Sequence, residues 1–183
     1  PRSGGTAEDI NLNLPSDGLS KGYIYVNTVP INVDLISSSI GQGVYGVDTV
    51  IPITVRFKDR ISSVDTTNGV PEILLNNGGK AVFVEKSKAK DTDLIFNYTV
   101  GDNQTIDELN IASEDALSLN GAIIKDYYGI EPDLKLPSPD DSQRTLKGKG
   151  IKISNNAAKI LSVTTTLEEG VYTAGQEIPI TLN

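Results

Sequence analysis

Along much of the chain, apolar and polar positions alternate with period two. Ile51, Ile53, Val55 and Phe57 alternate with polar or small neighbours, and Leu94, Phe96, Tyr98 and Val100 do the same around Ile95, Asn97 and Thr99. Successive side chains of a strand point to opposite faces, so this pattern predicts half-buried β-strands. Shorter apolar stretches predict strands over 33–39, 72–75, 81–85, 109–111, 123–125, 134–136 and 151–154. Between them stand Asn68-Gly69, Asn77-Gly78-Gly79, Gly101-Asp102-Asn103 and Asn120-Gly121, the residues that tight turns favour. Residues 113–119 are the one stretch that reads as helix, a turn or two long. Many short strands with this punctuation predict an all-β fold, an antiparallel β-sandwich with Greek-key connections.

The pattern also recurs. Gly43-Val44-Tyr45 returns as Gly170-Val171-Tyr172, and Ile51-Pro52-Ile53-Thr54 returns as Ile178-Pro179-Ile180-Thr181, both 127 positions later (43 to 170, 51 to 178). At the same offset Val33 and Ile36 fall on Ile160 and Val163, and Ile24 and Val26 fall on Ile151 and Ile153. Leu14-Pro15-Ser16 recurs as Leu136-Pro137-Ser138 at an offset of 122 (14 to 136). A period of this length suits one compact domain per repeat and is too long for a solenoid unit. The chain thus parses into residues 1–30 as the closing strands of one copy, 31–158 as a complete copy, and 159–183 as the opening strands of a third. That parsing predicts a window onto a longer array. Pro52 and Pro179 occupy the same place in their copies, and proline cannot donate to a ladder, so this position is expected at a sheet edge or a bulge. Tyr45, beside Gly43 and Gly46, is expected to pack over one end of the sandwich.

Composition narrows the chemistry. The 183 residues contain no His, Cys, Met or Trp, which removes histidine-based triads, thiol nucleophiles, Cys/His zinc sites and disulfides. With aromatics at 5%, the core has to be aliphatic. A net charge of −8 repels nucleic-acid phosphate, so no nucleic-acid partner is expected. No apolar run approaches the roughly 20 residues that cross a bilayer as a helix, so no membrane insertion of this segment is expected. No pair of carboxylates stands out as a glycosidase couple, and no catalytic residue is assigned.

The strings "GVYGVDTVIPITVRF", "PEILLNNGGKAVFVEKS", "LIFNYTVGDNQTIDELN" and "SEDALSLNGAIIKDYYG…LKLPSP" resemble the tandem immunoglobulin-like and cadherin-like repeats of very long bacterial cell-surface proteins and adhesins, the cyanobacterial kind above all. Related repeats occur in algal extracellular proteins. The resemblance implies an immunoglobulin-like sandwich in tandem copies. It also implies an extracellular, cell-surface location and a non-enzymatic structural or adhesive role in a stalk, layer or filament. Neighbouring repeats, in the same chain or in other copies, are the implied partners. The alternatives are a subunit of a dedicated extracellular filament, such as an algal flagellar hair, and a carbohydrate-binding module. The chain departs from the family at Asp126-Tyr127-Tyr128-Gly129, where two tyrosines replace small residues and Ile130 follows in place of the frequent Asn. Tyr127 and Tyr128 are therefore candidate contact residues, since aromatics concentrate at interfaces.

Calcium is the candidate cofactor for such an array, because carboxylate oxygens at domain junctions can stiffen a chain. Asp17 and Asp140 each follow a Leu-Pro-Ser, and with Asp141 they are the candidate junction ligands. Asp91 with Asp93, and Glu168 with Glu169, are further acidic pairs, the last aligning with Gly41 and Gln42 and so not repeated. Asn97 and Asn103 head Asn-x-Thr sequons, which matter for a eukaryotic secreted protein. Lys86, Lys88 and Lys90 alternate, either to contact an anionic surface polysaccharide or to protect a sheet edge against aggregation.

Overall fold

The computed structural model describes residues 29–155 and 162–182. Alternation decides its core strands. Among the described residues twelve strands are formed: β1 (Val33–Ser38), β2 (Gly43–Tyr45), β3 (Val50–Phe57), β4 (Ile61–Asp65), β5 (Glu72–Leu74), β6 (Lys80–Lys86), β7 (Asp93–Thr99), β8 (Leu117–Ser118), β9 (Ile123–Asp126), β10 (Ile151–Ile153), β11 (Val163–Thr164) and β12 (Thr181–Leu182). The protein is all-β. Among the described residues there is no helix, and so none long and apolar enough to cross a membrane.

Six strands make one antiparallel sheet in the order β1-β3-β7-β6-β5-β8. Its centre is the β3–β7 pair, running from Val50↔Thr99 to Arg56↔Asp93. Ile51, Ile53, Val55 and Phe57 on β3, and Leu94, Phe96 and Tyr98 on β7, are all buried. The core that they found also takes in Ile61 of β4, Ile124 of β9, and Ile151 and Ile153 of β10, together with Leu109, Ile111, Leu136 and Leu146 from the connections. Each fully buried Ile, Leu or Phe contributes about 1.5–3 kcal/mol, so this aliphatic layer supplies the main drive to fold without any disulfide. On the outer face, Arg56 donates to both oxygens of Asp93, at 2.8 and 2.9 Å, and closes one end of the β3–β7 ladder.

β4 and β9 form an antiparallel pair, and β2 pairs with β10 in parallel, Gly43↔Ile151 through Tyr45↔Ile153. This parallel pairing departs from the purely antiparallel expectation. The strand expected over 109–111 is reduced to a single bridge between Ile111 and Leu75, and residues 134–136 form no strand. The helix expected over 113–119 is instead a turn closed by Ala116 N to Ser113 O, followed by β8. Leu117 has to pair with Ile73 at the sheet edge, and that contact overrides a weak helical preference.

Pro52 lies on β3, which has β1 on one side and β7 on the other, so its strand is not an edge. The last β1 pair is Ser38↔Ile53, however, so β1 has ended at Pro52. The Pro52 carbonyl accepts the Ser38 hydroxyl at 2.5 Å, and in an extended strand a residue's nitrogen faces the same way as its carbonyl. The proline nitrogen therefore faces the stretch where the neighbour has run out, and no ladder bond is lost. Tyr45 packs against the core while its hydroxyl donates to Gly41 O at 2.8 Å.

β11 and β12 form an antiparallel hairpin with Val163↔Leu182 and Thr164↔Thr181. These pairs stand 127 positions after Ile36↔Val55 and Ser37↔Thr54 of β1–β3. The connection repeats as well. Gln176 N donates to Thr173 O as Thr49 N donates to Gly46 O, both at 3.2 Å, and Gly175 and Asp48 both have positive φ, 94° and 67°. The Tyr172 hydroxyl bonds Glu168 O as that of Tyr45 bonds Gly41 O.

Candidate functional site

The turn after β9 is built around a buried carboxylate. Asp126 Oδ1 accepts the amides of Tyr128 and Ile130, each at 2.8 Å, and the Asp126 amide donates to Ile130 O. Gly129 takes φ +80°, a left-handed conformation that suits glycine, and its amide donates back to Asp126 O. Tyr127 N donates to Arg60 O at 3.2 Å, which ties this turn to the entry of β4. With the backbone so fixed, both tyrosine side chains project outward, 67% and 61% exposed. Their rings meet edge-to-face, with centroids 5.4 Å apart and planes at 89°. The Arg60 guanidinium lies 6.0 Å from the Tyr127 centroid, within the reach of a cation–π contact. Asp59, Arg60, Tyr127 and Tyr128 together line an open recess of about 330 Å³.

The candidate contact pair thus lies in a recess, with two charged neighbours that sequence reading did not attach to it. Asp59 and Arg60 are more than sixty positions from the tyrosines. Only the β4–β9 pairing, Ile61↔Asp126, brings them together.

The candidate calcium ligands are placed differently. Asp17 lies outside the described residues. Asp140 and Asp141 sit in the loop before β10, which is held to the body of the unit by buried Leu146 and Thr145 and by Asn110, whose side-chain amide donates to Pro139 O. Asp140 Oδ1 is 2.6 Å from Lys147 Nζ, and Asp141 Oδ2 is 2.7 Å from Arg144 Nε. The Lys147 ammonium holds the Asp140 carboxyl below the usual carboxylate range, Arg144 does the same for Asp141, and Asp140 raises Lys147 in return. Each carboxylate thus pairs with one neighbouring cation. Asp93 is likewise taken by Arg56, and Asp91 lies 3.3 Å from Lys86. Among the described residues, no three acidic side chains group as a metal site.

Asn103 is exposed in its turn at φ 60°, whereas Asn97 is half-buried mid-sheet, opposite Pro52 on one side and Val82 on the other. Of the three lysines, Lys86 ends β6 where that strand pairs with β7 alone, since β5 reaches only as far as Val82, and it donates to Ile61 O, while Lys88 and Lys90 belong to the following loop. A second recess, of about 320 Å³, is lined by Lys58, Glu114, Asp133, Lys135 and Arg144 among others, and there Lys135 pairs with Glu114 at 3.3 Å.

Compared with known proteins, the chain matches no family model, no curated protein and no solved structure. The functional reading therefore rests on the residues and their geometry.

Proposed function

We propose that this chain is a segment of a non-enzymatic, extracellular structural or adhesive protein, in which immunoglobulin-like β-sandwich units follow one another in tandem. Residues 31–158 are one unit, and 159–183 begin the next. The observation that carries this reading is the hairpin. Val163↔Leu182 and Thr164↔Thr181 reproduce, at one offset of 127, the register of Ile36↔Val55 and Ser37↔Thr54. A positive-φ turn residue and a tyrosine bonded to the carbonyl four residues back recur at that same offset. Matching residues favour a shared fold, and matching register adds independent support, because a slip of one residue would turn every side chain to the other face. The sandwich reading is supported by one continuous core shared between the six-stranded sheet and the β4–β9 and β2–β10 pairs. The extracellular placement rests on the resemblance to cell-surface repeats. Such a unit acts by geometry, each copy burying its own core and passing the chain to the next.

The test is electron microscopy of the native particle together with the full-length gene. Further copies spaced about 127 residues apart, and a beaded stalk, layer or filament, are expected. A full-length protein with a single unit, seen as isolated globules, would sink the proposal.

A further inference from the structure

We propose that the recess of Asp59, Arg60, Tyr127 and Tyr128 binds a neutral glycan, with the C–H face of a pyranose ring stacked on tyrosine and its hydroxyls bonded by the charged pair. This site belongs to the single unit, so the proposal stands or falls independently of whether the unit is repeated. Three observations lead to it. Among the described aromatic residues, Phe57, Phe96 and Tyr98 are buried and Tyr45, Phe83 and Tyr172 half-buried; only Tyr127 and Tyr128 are left exposed. Their turn is fixed beforehand by the buried Asp126 carboxylate, Gly129 and the Arg60 carbonyl, so presenting the rings to a ligand costs little ordering entropy. Two rings at 89° form a corner, and the adjacent guanidinium supplies donors while the Asp59 carboxylate supplies acceptors. A sugar hydroxyl both donates and accepts, and so uses both.

Size and charge choose the ligand class. A stable protein partner needs about 800 Å² of surface with an apolar centre, yet this recess is lined by four residues, two of them charged. One cation and one anion cancel inside the recess, and the chain as a whole carries −8, which opposes a polyanionic polysaccharide.

The experiment is a titration of the 183-residue chain, followed by the amide resonances of residues 59–61 and 126–130. The probes are soluble neutral oligosaccharides built from hexose, N-acetylhexosamine and pentose units, with oligo-uronates for comparison. Saturable shifts confined to those amides are expected with at least one neutral probe. Tyr127→Ala and Tyr128→Ala should each weaken binding about tenfold, the loss of one aromatic contact, with the remaining spectrum unchanged. Arg60→Ala, a second variant at an exposed position, should weaken it too. Three results would overturn the proposal: no shift with any neutral probe at millimolar concentration, binding that the tyrosine variants leave intact, or binding of uronates alone that fades with salt.

Discussion

Ile36 pairs with Val55, and 127 positions later Val163 pairs with Leu182, but the first two side chains are fully buried and the second two are 62% and 61% exposed. The local chemistry of the two regions is the same. Each has a tyrosine bonded to a carbonyl four residues back, a left-handed turn residue and an antiparallel pair in one register. What differs is what lies on the far side of the ladder. β3 has β7 beside it and a shared core beneath, whereas among the described residues β12 pairs with β11 alone. The comparison separates two kinds of information. About twenty residues specify the hairpin and its register, while burial is supplied by strands distant in sequence.

Substitutions at equivalent positions test that separation. Ile53→Ala should cost about 2–5 kcal/mol in chemical denaturation, because a fully buried side chain leaves a cavity. Ile180→Ala, its equivalent 127 positions on, should change the same transition by less than about 0.5 kcal/mol. An equal cost at both sites would mean that the hairpin is packed as the unit is.

Asp93→Asn should follow, at about 1.5–3 kcal/mol, since it removes a two-point bond to Arg56 at the end of the β3–β7 ladder. The Arg56 guanidinium, with help from Thr92, holds the Asp93 carboxyl below its ordinary range. A carboxylate whose folded value is depressed contributes its full stability above the unfolded value, near about 4, and loses it as pH falls through the lower folded value. The wild-type midpoint should therefore drop in that acid window, and the Asp93→Asn midpoint should drop less.

Tyr45→Phe should cost about 0.5–1.5 kcal/mol through the lost bond to Gly41 O, and Tyr172→Phe should leave the main thermal transition unmoved. Least of all, Asp48→Gly should shift the midpoint by under about 1 kcal/mol in the stabilising direction, because the equivalent turn position is already Gly175 and glycine relieves the left-handed backbone. A clear destabilisation would show that the Asp48 side chain holds the turn.

Period-two alternation made β3 and β7 legible, since strands buried on one face have to display it. β4 escaped because Ile61-Ser62-Ser63-Val64-Asp65 buries only its first residue and leaves the serines exposed. With β4 unread, nothing in the sequence could bring Asp59 and Arg60 to the tyrosines. The 113–119 stretch was misread for a similar reason: pairing with β5 decides its conformation, and pairing is not local. Sequence spacing likewise does not show that Arg56, Arg144 and Lys147 reach Asp93, Asp141 and Asp140.

The parallel β2–β10 pair has a consequence for load. If units follow one another as proposed, a pull along the chain would reach β2 through β1 and β10 from its C-terminal end. Two parallel strands drawn from opposite ends slide along each other, so the bonds between Gly43 and Gly150 and between Ser154 and Tyr45 strain together rather than opening in turn. In such an array the parallel pair would serve as a shear lock.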